Sequence, residues 1–176
     1  NQYEAKLNVL EDKIKLFKGE QAALGVSTAK NFLQHKMLRE EVFGPYSLLV
    51  RCSSLDEVEA IIMTIEGQLT LSLIGTTTDQ AALNKVLTLA QQKAGRILFE
   101  GVPTGVAVTQ AMMHGGPFPA STDERFSAVG IDAIYRWLRP VSYQDCPEAL
   151  LPPALKQDNP LGITRNINGL MTKDSL

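Results

Sequence analysis

The run YSLLVRCSSLDEVEAIIMTIEGQLTLSLIGTTTDQAALNKVLTLAQQKAGRILF, residues 46–99, decides the fold class. Its segments alternate in type. Tyr46 to Cys52 is a short apolar stretch, the pattern of a buried strand. Ser54-Leu55-Asp56-Glu57 then opens a helix, with Ser54 as N-cap and Glu57 closing a capping box. Val58, Ile61, Ile62 and Ile65 form that helix's apolar face. Leu69 to Ile74 reads as strand again. Thr78 or Asp79 caps a second helix with Leu83, Val86, Leu87 and Ala90 turned inward and Gly95 at its end. Arg96 to Phe99 returns to strand. Strand, helix, strand, helix, strand predicts an α/β layer with helices packed on a sheet.

Upstream, Gly44-Pro45 punctuates the chain. Tyr3, Leu7, Leu10, Ile14 and Phe17 recur at helical intervals, which predicts one amphipathic helix stopped by Gly19. Residues 20–40 are ambiguous, with an apolar stretch from Ala22 to Val26 and a helical turn near Lys30 to Leu33. Downstream the alternation breaks. Residues 101–130 hold five glycines and three prolines, too long a segment for an ordinary connection, and such loops tend to carry function. Ile131 to Leu138 resumes helix or strand, and Val141-Ser142-Tyr143 is a candidate strand behind Pro140. The tail from Cys146, with Pro147, Pro152, Pro153 and Pro160, is expected to be extended and held by contacts with something else.

The 176 residues carry a formal net charge of −2, so nothing electrostatic favours nucleic acid or an anionic membrane. Hydrophobic residues make up 44 %, as in a globular protein and unlike a disordered one. No apolar run approaches the roughly 18 to 20 residues of a membrane span. Two cysteines are too few for a disulfide scaffold, and with no signal peptide visible a reducing cytoplasm is the expected setting. The chain opens at Asn1, without Met and directly in a helical pattern, and is expected to be a piece of something longer.

Few residues suggest chemistry. Cys52 at a strand end reads as a small buried hydrophobe, and Cys146 has no histidine close in sequence. His35 lies in a polar stretch and reads as a surface residue. His114 stands in Met112-Met113-His114-Gly115-Gly116-Pro117-Phe118, inside the long loop. A His-Gly-Gly run can form an esterase oxyanion loop, but no G-x-S-x-G elbow exists here. Two readings of His114 stay open: a local turn that uses the two glycines, and a place at an active site. No G-x-G-x-x-G, P-loop or metal-spaced cluster is present. Asp56, Glu57 and Glu59 read as a solvated helix face.

Glu40-Glu41-Val42-Phe43-Gly44-Pro45, followed by an apolar strand and the Asp56-Glu57-Val58 helix, resembles the aldehyde dehydrogenase superfamily. The resemblance implies that Glu41 accepts hydrogen bonds from the nicotinamide ribose and that Phe43 packs near the nicotinamide ring of NADP or NAD. A carboxylate has paired acceptors that match vicinal hydroxyls, and an aromatic wall limits a ring's motion. Further strings look like one branch, the 2-oxoglutarate semialdehyde (2,5-dioxopentanoate) dehydrogenases and a related NADP-dependent fatty aldehyde dehydrogenase of luminous bacteria. They are Gly101 to Val106, His114 to Ser121, Arg136 to Gln144, and the tail strings Ala149 to Leu155 and Asn159 to Ile163. The wider family's Tyr-Gly-Leu after this helix is replaced by Glu66-Gly67-Gln68-Leu69-Thr70, and its P-F-G-G loop by the His114 version.

The resemblance is to the C-terminal third of such enzymes. It implies the later part of the catalytic domain over residues 1–130, an oligomerisation segment over 131–147 and an extended tail over 148–176. The family's F-x-x-x-G-Q-x-C nucleophile and its general-base glutamate have no counterpart here, so Cys52 and Cys146 do not inherit that role. In the whole enzyme the implied chemistry is thiolate attack on an aldehyde, hydride transfer and thioester hydrolysis. His114 is expected to tune or deprotonate the cysteine. The implied partners are the missing N-terminal part and further copies, as homodimer or homotetramer, while this chain alone is expected to be inactive. Two other readings stand beside it: a non-catalytic oligomerisation module left by truncation, and a Cys52/His114 hydrolase without a matching motif.

Overall fold

The computed structural model describes residues 2–75, 78, 80–103 and 105–176, so Asp79 as a helix cap lies outside the described residues. The chain divides into two compact units, Asn1–Trp137 and Leu138–Leu176.

In the first unit, helix α1 (Gln2–Glu11) buries Leu7 and Leu10. It is shorter than the apolar spacing predicts. The amides of Lys13 and Ile14 both turn back to the Leu10 carbonyl, and the chain leaves as strand β1 (Lys15–Lys18). β1 pairs antiparallel with β2 (Ala23–Thr28), Lys15 opposite Val26 and Lys18 opposite Ala23. Gly19 therefore closes a hairpin, its N–H on the Ala22 carbonyl at 2.8 Å, instead of ending a helix. Ladder bonds to β2 outweigh a local periodicity that a four-residue strand also satisfies.

Helix α2 (Ala29–Gln34) follows at once, because Thr28 leaves β2 and caps it, its hydroxyl accepting from the Asn31 N–H at 3.3 Å. A 3₁₀ turn (Lys36–Arg39) and the string 40–45 lead to β3 (Tyr46–Arg51), which lies parallel to β2, Ala23 opposite Tyr46. β3 alternates half-buried and exposed positions instead of being buried throughout, as befits an edge strand with one face on a core. That core holds Leu10, Ile14, Phe32 and Leu38.

Helix α3 (Leu55–Thr64) starts where the sequence predicts. The Ser54 hydroxyl accepts from the Glu57 N–H, while the Glu57 carboxylate accepts from the Ser53 N–H at 2.6 Å, one residue before the cap. β4 (Gln68–Leu73), α4 (Gln80–Ala90) and β5 (Ala94–Phe99) complete a βαβ unit with β4 and β5 parallel. Gly95 sits inside β5 and not at the end of α4. Ile62, Leu73 and Val86 form the second core.

The strands divide into separate sheets, β1-β2-β3 and β4-β5, and among the described residues β3 and β4 do not pair. The reason lies in α3. Ile61 and Ile65 pack on the first core, while Ile62 belongs to the second with Leu55 and Val58 beside it. Each sheet is thus held on its own side of one helix.

No helix or strand forms among the described residues from Glu100 to Gly130. This loop crosses the starts of β4 and β5 in backbone contact: the Gly67 N–H donates to the Phe118 carbonyl, and Gly95 lies against Gly115. Ile131–Trp137 is a 3₁₀ segment. No helix among the described residues is long and apolar enough to cross a membrane.

In the second unit Val141–Tyr143 forms no strand, since no partner pairs with it among the described residues. Instead β6 (Arg165–Ile167) and β7 (Leu170–Thr172) make a hairpin whose turn residues Asn168 and Gly169 have φ of 50° and 90°. Positive φ at both positions is the tight turn that matches strand twist. Buried Asn159 ties the tail together, donating to the carbonyls of Ile163 and Lys173. Arg165 donates to the carbonyls of Lys156, Gln157 and Asp174.

Candidate functional site

Residues 40–45 run without helix or strand between the 3₁₀ turn and β3. The string starts extended at Glu40, with φ of −80° and ψ of 139°, and successive side chains of an extended segment alternate in direction. Val42 packs on the first core, while Glu41 and Phe43 are exposed and face a common cleft. Phe43 is 88 % exposed, an unusual position for a phenyl ring.

The cleft has a volume of about 1080 Å³. On one side stand Lys6 of α1, Lys36 and Arg39 of the 3₁₀ turn, and Glu40, Glu41 and Phe43. Facing them are Thr64, Glu66 to Thr70 around the start of β4, and Pro119 and Ala120 of the long loop. Its lining holds three basic residues (Lys6, Lys36, Arg39) and three acidic ones (Glu40, Glu41, Glu66), of which Glu66 alone faces the rest. Arg39 is already engaged, its guanidinium donating to the Leu33 carbonyl at 3.1 Å. The carbonyl of Glu41 accepts from the Lys6 ammonium at 2.5 Å. Among the described residues the Glu41 carboxylate has no hydrogen bond or ion pair.

These features fit the nicotinamide end of a dinucleotide. Glu41 offers a carboxylate whose acceptors are uncommitted, and Phe43 offers a bare aromatic face two residues on. The cleft is of the size that takes part of a large cofactor.

His114 does not line this cleft, although Pro119 and Ala120 of its loop do. It is half-buried, and its Nδ1 is buried with no hydrogen-bond partner. Its backbone is fixed: the His114 N–H donates to the Ser127 hydroxyl at 3.0 Å, and its carbonyl accepts from the Ala128 N–H at 2.8 Å. His35 is half-buried rather than on the open surface, its Nδ1 lying 3.0 Å from the Asn31 carbonyl.

Cys52 is exposed, not a buried hydrophobe, because β3 ends at Arg51 and releases it. Its local surroundings still push the thiol up, through desolvation first and the Glu57 carboxylate second, which disfavours the thiolate. Cys146 is half-buried. Glu59 is not purely solvated, since it pairs with Lys85 at 2.6 Å across α3 and α4. No group of three or more His, Cys, Asp or Glu among the described residues is placed to hold a metal ion.

The sequence places Tyr3 on the apolar face of the first helix and Lys6 on its polar face, with no role at a site for either. In the structure both reach the 40–45 string from α1, a long-range contact that helical spacing does not signal.

No family model matches the chain. It is 48 % identical over 141 residues to alpha-ketoglutaric semialdehyde dehydrogenase 2 of Azospirillum brasilense, covering 80 % of this chain and 27 % of that protein. It is 44 % identical over 162 residues to alpha-ketoglutaric semialdehyde dehydrogenase of Acinetobacter baylyi, covering 90 % of this chain and 29 % of the relative. The chain thus spans less than a third of the length of these curated relatives. With that identity over most of its own length, the chain belongs to the aldehyde dehydrogenase superfamily.

Proposed function

We propose that this chain is the C-terminal portion of an NAD(P)-dependent dehydrogenase that oxidises alpha-ketoglutaric semialdehyde, or a related aldehyde, to the carboxylate. The supporting observation is that Glu41 and Phe43 line one wall of the same cleft with their functional groups uncommitted. Bound NAD or NADP supplies the hydride acceptor. The Glu41 carboxylate accepts from the ribose hydroxyls, and the Phe43 ring walls the nicotinamide and keeps water from that side. The nucleophilic cysteine and general base lie outside this chain. His114 acts on the nucleophile's proton from the long loop, with its backbone held by Ser127 and Ala128. The relatives' names support this substrate in preference to a fatty aldehyde.

The partners are the N-terminal part of the same enzyme and further copies in a homodimer or homotetramer. Self-association draws on Ile131, Ile134 and Trp137, which are large, apolar and exposed. The same exposure favours the second reading, a non-catalytic interaction module.

The test is NAD(P)H production from alpha-ketoglutaric semialdehyde by the full-length protein and by this chain alone, with each mass verified. Turnover only in the longer protein, reduced by roughly tenfold or more in Glu41→Gln, is the expected result. Turnover by the isolated chain, or an unaffected Glu41→Gln enzyme, overturns the reading.

A further inference from the structure

We propose that Tyr3 and Lys6 of α1 are positioning residues that hold the 40–45 string so that Glu41 and Phe43 face the cofactor. The inference rests on the nicotinamide reading of the cleft given above.

The string needs an external frame. Its backbone belongs to no helix or strand, so no ladder of hydrogen bonds sets the directions of Glu41 and Phe43. Apolar packing holds it on one side only. Val42 and Met37 pack on the first core with Leu10, while a cleft of about 250 Å³ lined by Ala5, Val9, Met37 and Val42 opens beside them.

α1 supplies the frame through two polar tethers three residues apart, on one helix face. The Lys6 ammonium donates to the Glu41 carbonyl at 2.5 Å, a charge-assisted bond on the residue whose side chain enters the cleft. The Tyr3 hydroxyl donates to the Pro45 carbonyl at 3.2 Å, at the other end of the string, beside the Ala23 N–H of β2, which donates to the same carbonyl at 2.9 Å. Its ring lies directly on Gly44, where an added Cβ would come 2.4 Å from Tyr3 Cδ2. Gly44 has φ of +155°, and the absence of a side chain there lets the ring close on the backbone. Phe43 is therefore bracketed between two anchored points while its own ring stays free. A bonded carbonyl fixes the Glu41–Val42 peptide plane, and turning that plane would swing Glu41 and Phe43 away from each other.

The experiment uses the full-length protein with Lys6→Met, Lys6→Arg and Tyr3→Phe. One readout is the rate of chymotryptic cleavage after Phe43 without cofactor, and the other is the dissociation constant for NAD⁺ or NADP⁺ by calorimetry. In Lys6→Met that cleavage should be about tenfold faster, while cutting elsewhere in the chain stays unchanged, as expected for one lost charge-assisted bond. Binding of the dinucleotide should weaken by a similar factor, and Lys6→Arg should restore both. Tyr3→Phe keeps the ring and should show a smaller loss in the same direction, so one variant failing to fold does not end the test. Unchanged cleavage after Phe43, or wild-type affinity in a loosened Lys6→Met, overturns the inference. A wild-type protein that binds neither dinucleotide overturns the cofactor reading itself, a result distinct from equal binding by wild type and variant.

Discussion

The carbonyl oxygen of Gly115 occupies the space that a side chain on Gly95 would need: a Cβ there would stand 2.1 Å from it. The same holds one strand over, where a Cβ on Gly67 would meet the Pro117 carbonyl oxygen at 1.9 Å. Both obstacles are backbone atoms, so neither can rotate aside. Gly95→Ala should lower stability by about 1–3 kcal/mol, the usual cost of overpacking, and lift the His114–Ser121 loop off the strands. Gly105→Ala, with nothing within 4 Å, is the control and should change stability by under about 0.5 kcal/mol. Urea midpoints of the two variants give the comparison.

Exposure and reactivity part company at Cys52. Desolvation and the Glu57 carboxylate both raise its thiol pKa, so at neutral pH less of it is thiolate than in a free cysteine. Its alkylation by iodoacetamide at pH 7 should be slower than that of free cysteine, and Glu57→Gln should speed it slightly. Cys52→Ser should leave aldehyde oxidation by the full-length enzyme unchanged. A large loss in that variant would return Cys52 to the list of nucleophiles.

Asp123 is held at about 2, first by the Arg125 side chain and then by the Arg125 backbone N–H. A folded-state value below the ordinary carboxylate range contributes stability above that range and loses it as pH falls toward 2. The pair is exposed, so the contribution is small. A carbon-detected NMR titration should find the Asp123 carboxyl still ionised at pH 3 in the wild type. In Arg125→Gln it should titrate in the ordinary range.

The turn at Asn168 and Gly169 offers a local lesion. With φ of 90°, Gly169 occupies backbone space that a β-branched residue enters only under strain. Gly169→Val should cost roughly 1–3 kcal/mol within Leu138–Leu176. Limited proteolysis should then cut that unit sooner and leave the first unit's cleavage pattern as it was.

Much of the α/β unit could be read directly, since α3 has its cap, its apolar face and strands on either side in one continuous segment. The α1 region misled because Ile14 and Phe17 extend a helical spacing that the chain abandons to pair Lys15 with Val26, a long-range decision. Splitting of the strands into two sheets was equally hidden, for it depends on which side of α3 each isoleucine finds a core. The hairpin was a different kind of miss. Asn168-Gly169 is a strong turn signal, masked by the short and partly polar strands around it. At the site, Glu41 and Phe43 were legible as part of a string, whereas Lys6 and Tyr3 reach it from 35 and 42 positions away.

A ten-residue helix with apolar side chains directed to two cores has a thermodynamic meaning. Neither sheet is bonded to the other among the described residues, so α3 is a shared term in both stabilities. Melting the β4–β5 side strips Ile62 and Val58 of their partners and leaves Ile61 and Ile65 on a helix with half its support. The walls of the cleft, one beside each core, are thereby expected to share one cooperative transition, so that its two halves form or vanish together.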